Sequence, residues 1–246
     1  MKILSLLRCW LIASCAISLT NLPLSAASIQ AGSIAIDYDP TAFANVFLTT
    51  INSFNQAASN SSTDAQILAD AGTTTAWSNL GFGINPTTPL SDPSGRSLQE
   101  TTFTYDPANL TGTASGQIGI GGVSRWWGAG VGNFVLGDFA LTYNASLETG
   151  IYSGWALTNN FSLPALAFQI ANASTSAISA DGFTLSGDLW VKSGDPLNLY
   201  FSFPAGDYGN FSMTASTVPE PSTYALLALA AVAVGLQMRK RFYRKA

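Results

Sequence analysis

The sequence of 246 residues contains no histidine, and both of its cysteines, Cys9 and Cys15, lie close to the N-terminus. Without imidazole or thiolate side chains, the rest of the chain cannot form a Ser-His-Asp or Cys-His catalytic group, or a zinc or copper site built on those ligands. It cannot form a disulfide bond either, so its stability has to come from a packed core. The sequence also lacks a Gly-x-x-x-x-Gly-Lys phosphate loop. We therefore expect that the protein is not an enzyme.

Basic residues are scarce between residues 28 and 217, where only Arg96, Arg125 and Lys192 occur. Thirteen acidic residues oppose these three, which gives this part of the chain a net charge of −10. Such a charge repels the phosphates of nucleic acids and anionic lipid surfaces, so we expect no nucleic-acid partner. An acidic polysaccharide would also be repelled unless cations bridged the two.

The N-terminus has the three parts of a secretory signal peptide. Lys2 and Arg8 precede an apolar stretch over residues 9–19, and Ser25-Ala26-Ala27 forms a cleavage site of small residues. We predict that residues 1–27 form a signal helix, that the general secretion translocon exports the chain, and that cleavage falls between Ala27 and Ser28.

The C-terminus combines three further features in order. Val218-Pro219-Glu220-Pro221-Ser222-Thr223 precedes an apolar run over residues 224–238. As a helix this run would be about 22 Å long, short of the roughly 30 Å hydrocarbon thickness of a bilayer. We predict a marginal transmembrane helix that suits a temporary anchor. Its C-terminus would lie in the cytoplasm because positive charges follow the run: Arg239, Lys240, Arg241, Arg244 and Lys245.

This segment resembles the PEP-CTERM sorting signal of Gram-negative bacteria. The resemblance covers residues 218–246: the motif at 218–223, the transmembrane run at 224–238 and the basic tail at 239–246. It implies that Pro219, Glu220 and Pro221 are recognised by a membrane-embedded transpeptidase-like enzyme, the exosortase. A single-pass anchor behind a proline linker is the simpler alternative.

The resemblance also implies a location and a role. Proteins with this signal accompany exopolysaccharide production and biofilm formation. We therefore expect a chain that contacts the inner membrane through its C-terminal helix before processing and then resides at the cell surface or in the extracellular matrix. A structural or adhesive role, with exopolysaccharide as a partner, follows from the resemblance.

Residues 28–217 are predicted to form a mainly β, antiparallel domain, because apolar and polar residues alternate between recurring turn signals. We expect two packed sheets, a β-sandwich or jelly-roll-like fold. Strands are predicted at 34–38, 101–105, 117–120, 151–157, 166–170 and 209–214, with the same alternation over 138–143, 183–191 and 197–203.

One region near the start of this domain departs from the alternating pattern. Asp39-Pro40 is a good N-cap and first-turn pair, and five apolar residues follow at helical spacing: Phe43, Val46, Phe47, Ile51 and Phe54. Residues 63–71, with Gly72 behind them, indicate a second short helix. We predict one or two helices at an edge or end of the sandwich, although the Val, Thr and Ile of the first region also suit a strand.

The segment Arg125-Trp126-Trp127 is the strongest candidate for a binding surface. Trp rings stack on sugar faces and Arg donates hydrogen bonds to hydroxyl or carboxylate groups, so the three residues could form a glycan-binding platform. The alternative functions are therefore a carbohydrate-binding module or, with less support, a polysaccharide-modifying enzyme that uses carboxylates alone. Tryptophans more commonly lie in the core.

Carboxylates are the remaining candidates for chemistry. Glu100, Glu148 and eleven aspartates lie in the predicted domain, but most of the aspartates adjoin Gly or Pro in predicted turns. No pair can be assigned as glycosidase acids from its spacing. Asp37 and Asp39 fall on the same side of an extended strand, which leaves a structural calcium ion open. Otherwise we expect no cofactor, no catalytic residue and no metal site.

Overall fold

The computed structural model describes residues 26–55, 60–69 and 76–217 of the chain. The predicted signal helix up to residue 25, the transmembrane run at 224–238, the sorting residues Pro219, Glu220 and Pro221, and the basic tail lie outside the described residues.

Eleven strands and four short helices make up the described part of the chain. The helices are α1 (Pro40–Ala44), α2 (Asp64–Ala69), α3 (Leu110–Thr113) and α4 (Pro196–Phe201), and a single 3-10 turn covers Ala145–Leu147. The strands are β1 (Ala27–Tyr38), β2 (Thr50–Asn55), β3 (Leu80–Ile84), β4 (Thr104–Tyr105), β5 (Ile118–Gly128), β6 (Gly132–Gly137), β7 (Ala140–Tyr143), β8 (Tyr152–Asn159), β9 (Ala165–Ser179), β10 (Gly182–Val191) and β11 (Gly206–Thr217).

Eight of these strands close into an antiparallel barrel. Their order is β11-β10-β9-β8-β7-β5-β3-β1, and β1 pairs again with β11, with Ile29 opposite Thr217 and Tyr38 opposite Gly209. The predicted mainly β, antiparallel class is confirmed. The predicted sandwich or jelly roll is not what forms, because pairing of the first strand with the last converts the sheet into a closed barrel.

The long strand β5 belongs to two sheets. Its first part pairs with β3 and β7 inside the barrel, and its second part, Gly122 to Gly128, pairs with β2 on one side and β6 on the other. The second part therefore forms a three-stranded sheet that extends beyond the barrel wall. β4 pairs with the beginning of β1, where Ala27 lies opposite Tyr105.

The barrel has two ends, which differ in the chain segments that they hold. We call the end with the first residues of β1, the last residues of β11 and the β9–β10 turn the terminal end. The opposite end, with α1, α4, the β8–β9 turn and the three-stranded sheet, is the distal end. β11 runs from one end of the barrel to the other and is about 36 Å long for its 12 residues.

An aromatic cluster fills each end of the barrel core. At the terminal end, the rings of Phe103, Tyr105, Trp155 and Phe183 lie 5.3 to 6.0 Å apart between contacting centroids. At the distal end, the ring of Trp126 stacks on Phe43 at 4.7 Å and meets Tyr38 edge-on at 4.9 Å. Phe203 and Tyr208 complete this distal cluster. Burial of such rings is the main source of stability in a core without disulfides.

The local predictions were correct for most strands and wrong for one helix. Residues 197–203 were predicted as a strand, but Pro196–Phe201 is the helix α4, because Asp195-Pro196 supplies an N-cap position and a first-turn proline. The predicted first helix is shortened to α1, and Ile51 lies in β2 instead. The predicted second helix is confirmed as α2.

Candidate functional site at the two ends of the barrel

The terminal end fixes the chain directly before the predicted sorting motif. Thr217, the last residue of β11, donates its backbone N–H to the carbonyl of Asp181 at 2.9 Å and its Oγ1 hydroxyl to the carbonyl of Ala180 at 2.6 Å. It also lies opposite Ile29 in β1. Val218 follows at once in the sequence. No linker therefore separates the barrel wall from the motif.

The β9–β10 turn packs tightly against β11. Gly182 has a φ of +142°, and a Cβ atom at this position would lie 2.0 Å from the carbonyl oxygen of Ala215. Glycine is thus required for the close approach. The Tyr105 hydroxyl donates to the carbonyl of Ser179 at 2.7 Å, which joins the same turn to β4. The end of β11 is held from two sides.

The predicted signal-peptide cleavage site lies at the same end. Ala27 is the first residue of β1 and is buried, and Ser28 lies opposite Thr104 in β4. A protease needs an extended, accessible substrate, which a paired and buried strand does not offer. Cleavage between Ala27 and Ser28 would therefore have to precede the pairing of β1 with β4. The position of the cut itself stays a prediction.

The predicted platform at Arg125, Trp126 and Trp127 is not a shared exposed surface. Trp126 is 0% exposed and belongs to the distal aromatic cluster, whereas Trp127 is 47% exposed. Arg125 is buried, and its Nη1 donates to Oδ1 of Asn133 at 3.0 Å. The reason is the alternation of side chains along β5, which turns Trp126 inward and its two neighbours to the other face. Of the three, Trp127 alone is open to a ligand.

The exposed apolar side chains are distributed unequally between the two ends. Eight of the ten large hydrophobic residues that are exposed in the described part of the chain lie at the distal end: Phe47, Leu68, Trp127, Val131, Leu163, Leu199, Tyr200 and Phe201. The other two are Ile151 and Ile178. Clustering of exposed apolar residues marks a surface for interaction.

A groove of about 250 Å³ lies within this distal surface. α4 supplies Leu197 and Phe201, β6 supplies Phe134, and the β8–β9 turn supplies Leu163. The polar groups that line it are the amides of Asn133 and Asn159 and the hydroxyl of Ser162, and no Asp, Glu, Lys or Arg of the described residues does so. The groove is thus apolar with a few uncharged polar groups.

Buried hydrogen bonds hold the walls of the groove in place. Asn159 accepts the N–H of Gly137 at 2.8 Å and donates to the carbonyls of Phe161 and Leu163 at 3.0 and 2.7 Å, which shapes the β8–β9 turn. At α4, the carboxylate of Asp195 accepts from Nε2 of the buried Gln169 at 3.0 and 3.2 Å. The groove walls are therefore preorganised.

A buried ion pair supports the wall beside the distal end. Nε and Nη2 of Arg96 donate to Oδ2 and Oδ1 of Asp138 at 3.0 and 2.6 Å, and both side chains are fully buried. Nη1 of Arg96 also donates to the carbonyl of Ser62. Burial raises the pKa of Asp138, and the guanidinium of Arg96 opposes that rise. The alternation over 138–143 would place Asp138 on the exposed face opposite Phe139, but its carboxylate is buried and pairs with a buried cation.

Most other aspartates stabilise turns, as predicted. Asp39 caps α1 by accepting the N–H of Thr41 at 2.7 Å. Asp92, Asp106 and Asp207 each accept a backbone N–H from a residue close in sequence, whereas Asp37, in β1, accepts the N–H of Asn79. The described residues contain no group of three or more acidic side chains that could hold a metal ion. Asp37 and Asp39 are therefore engaged in local structure.

Comparison with known proteins identifies the segment that follows the barrel. A family model for the PEP-CTERM protein-sorting motif matches residues 217–241, beginning at the last residue of β11. This match supports a PEP-CTERM sorting-domain protein. The motif implies an exported chain that an exosortase sorts, with a C-terminal anchor that lies transiently in the membrane.

The predicted resemblance is confirmed by this match. A search of curated proteins finds no match. No helix among residues 26–55, 60–69 and 76–217 is long and apolar enough to cross a membrane.

The sequence alone predicted neither the distal groove nor the hydrogen bonds that hold Thr217 at the end of β11. The groove is assembled from α2, β6, the β8–β9 turn and α4, which are remote from each other in the chain. The one local signal was Asp195-Pro196, which marks α4 in the same way that Asp39-Pro40 marks α1.

Proposed function

We propose that the protein is a structural or adhesive component of the cell surface or extracellular polysaccharide matrix. Residues 224–238 hold it in the inner membrane with the basic tail in the cytoplasm, and the exosortase, which recognises Pro219, Glu220 and Pro221, releases it. The observation that carries this proposal is the continuity between Thr217, the last barrel residue, and the sorting motif.

The tether sets the orientation of the barrel. Residues 218–223 can span at most about 22 Å, so the terminal end faces the membrane while the tether is intact. The distal end then lies further out by the height of the barrel, which is less than the roughly 36 Å length of β11 because barrel strands are tilted. This places the exposed apolar side chains of the distal end away from the lipid, where they are free for contact with the matrix. An adhesive role needs such a surface.

The charged side chains have structural partners, which is consistent with a role without catalysis. The Arg96–Asp138 pair is sealed in the interior, and Asp39, Asp92 and Asp106 support turns. No described observation favours a carboxylate-only enzyme. We accordingly propose binding or scaffolding as the activity of the barrel.

Substitution of the sorting residues tests the proposal. With Pro219, Glu220 and Pro221 all changed to alanine, the protein is expected to stay in the membrane fraction at the mass of the chain with its basic tail. Alanines at Thr87, Thr88 and Pro89, three exposed loop positions, serve as the control and leave secretion unchanged. Release of the triple-alanine sorting variant at the normal mass would contradict the proposal.

A carbohydrate-binding module is the second candidate, because the distal end exposes the rings of Trp127, Tyr200 and Phe201. Aromatic rings pack against the apolar faces of sugars. Trp127→Ala tests the one exposed residue of the predicted Arg125-Trp126-Trp127 platform. If glycan retention is unchanged in this variant, β5 takes no part in binding.

A further inference from the structure

We propose that the distal groove between α4, β6 and the β8–β9 turn is a binding site for a neutral polysaccharide. The proposal rests on the adhesive function above and assigns its contact residues to Phe134, Leu163 and Phe201. Arg125 and Trp126 take no part, because both are buried.

The chemistry of the groove matches an uncharged sugar chain. Each sugar ring has apolar C–H faces and hydroxyl edges. The side chains of Leu163 and Phe201 are 57% and 41% exposed and offer apolar surface for the C–H faces. Asn133 and Ser162 are exposed at the same groove and offer amide and hydroxyl groups for the edges. A mainly apolar wall with a few placed polar groups is the usual composition of small-molecule sites.

Charge excludes acidic polysaccharides as the occupant. The domain has a net charge of −10. Two of its three cations, Arg96 and Arg125, are buried, and Nζ of the third, Lys192, lies 5.0 Å from the ring centroid of Tyr152, not in the groove. A polyanion would meet repulsion without a compensating cation. A second copy of the barrel would bring another −10 against the same surface, which disfavours self-association.

Position excludes the anchor segment of the same chain and the membrane. Thr217 lies at the opposite end of β11 from the groove, about 36 Å away along its 12 residues. Residues 218–223 span at most about 22 Å, so the apolar run begins short of the groove, and the secreted protein of the proposed function no longer carries that run. While that run holds the protein in lipid, the groove faces away from the bilayer. An uncharged external polymer is the occupant that satisfies all of these conditions.

Preorganisation favours binding without rearrangement. The β8–β9 turn is fixed by the three hydrogen bonds of Asn159, and the Phe134 and Phe201 rings are in contact, with centroids 5.5 Å apart. A preformed site loses less conformational entropy when a ligand binds.

Calorimetric titration of the secreted protein with three hexasaccharides tests the proposal: cellohexaose, mannohexaose and hexagalacturonate. At least one neutral hexasaccharide is expected to bind, and the acidic one is expected to bind at least about tenfold more weakly. Leu163→Ser and Phe201→Ala are each expected to weaken neutral binding about tenfold. Ile178→Ser, at the terminal end and 38% exposed, is the matched control and leaves binding unchanged.

Several results would overturn the assignment. They are no binding of either neutral hexasaccharide, stronger binding of hexagalacturonate, or neutral binding that Leu163→Ser and Phe201→Ala leave intact. Sedimentation that reveals a dimer lost in Phe201→Ala would assign the groove to a second copy instead. Leu163 is mostly exposed, so its variant keeps the test valid if Phe201→Ala fails to fold. If only the groove assignment is wrong, secretion and removal of the tail are still normal. If the proposed function is wrong, secretion or removal of the tail is abnormal.

Discussion

The terminal and distal ends of the barrel are filled in the same way but present different surfaces. Each end has a buried tryptophan among other rings, Trp155 at the terminal end and Trp126 at the distal end. Outside these clusters, the terminal end consists of strand ends and a tight polar turn, whereas the distal end carries most of the exposed apolar side chains. The two ends therefore differ in their exposed apolar surface and not in the way their cores are filled.

The terminal end also adjoins both predicted processing sites. The predicted signal cleavage site at Ala27 and Ser28 and the sorting motif after Thr217 both lie beside the pairing of β1 with β11. Since this pairing joins the first strand to the last, the barrel can close only after the chain has been synthesised as far as Thr217. The distal end has no such connection to either terminus.

The equivalence of the two cores predicts large and similar losses of stability on removal of either tryptophan. Trp126→Ala and Trp155→Ala are each expected to lower the free energy of unfolding by about 3–5 kcal/mol. Trp127→Ala, the exposed neighbour on β5, is the control and changes it by less than about 1 kcal/mol. Urea unfolding followed by circular dichroism measures all three. Equal effects at Trp126 and Trp127 would mean that the distal cluster is not part of the core.

The buried ion pair beside the distal end predicts a loss of unfolding free energy that is similar to, or smaller than, that of the tryptophan variants. Asp138→Asn leaves the guanidinium of Arg96 buried without its counter-charge, at a cost of about 3–5 kcal/mol. Glu148→Gln is the matched control, because the Glu148 carboxylate is exposed and accepts one hydrogen bond, from Tyr143. Its loss costs about 0–1 kcal/mol. If Asp138→Asn lowers the free energy of unfolding as little as the control does in the same assay, the ion pair does not support the distal end.

The tight turn of the terminal end predicts a third difference. Gly182→Ala combines left-handed backbone strain with a clash against the Ala215 carbonyl. It is expected to lower the free energy of unfolding by about 2–4 kcal/mol. Gly130→Ala, in the distal β5–β6 turn, has a φ of +84° but open space around it, and costs about 1–2 kcal/mol. Thermal unfolding of both variants measures the difference. Equal costs would show that the turn does not clamp β11.

The sequence predicts what is encoded in contiguous residues. The sorting motif is a short linear signal, and the family match confirms it without any knowledge of the fold. Alternating strands such as β1 and β11 are also local, because burial of one face requires apolar residues at every second position. α2 was predicted from its apolar spacing and confirmed.

Features that depend on distant contacts were missed. Glycines at alternate positions of β3 conceal the Leu80, Phe82 and Ile84 face, and no strand was predicted at β6. Closure of the barrel depends on the pairing of β1 with β11, which no local pattern contains. The burial of Trp126 and the assembly of the distal groove likewise follow from tertiary packing.

Intact-mass spectrometry of the secreted protein is the most direct test of the central claim, that the terminal end is where the chain is tethered and then released. The account predicts a first residue of Ser28 and a last residue between Pro219 and Thr223, directly beyond the clamped end of β11. A secreted chain that still carries Arg239 and the residues after it would contradict the account.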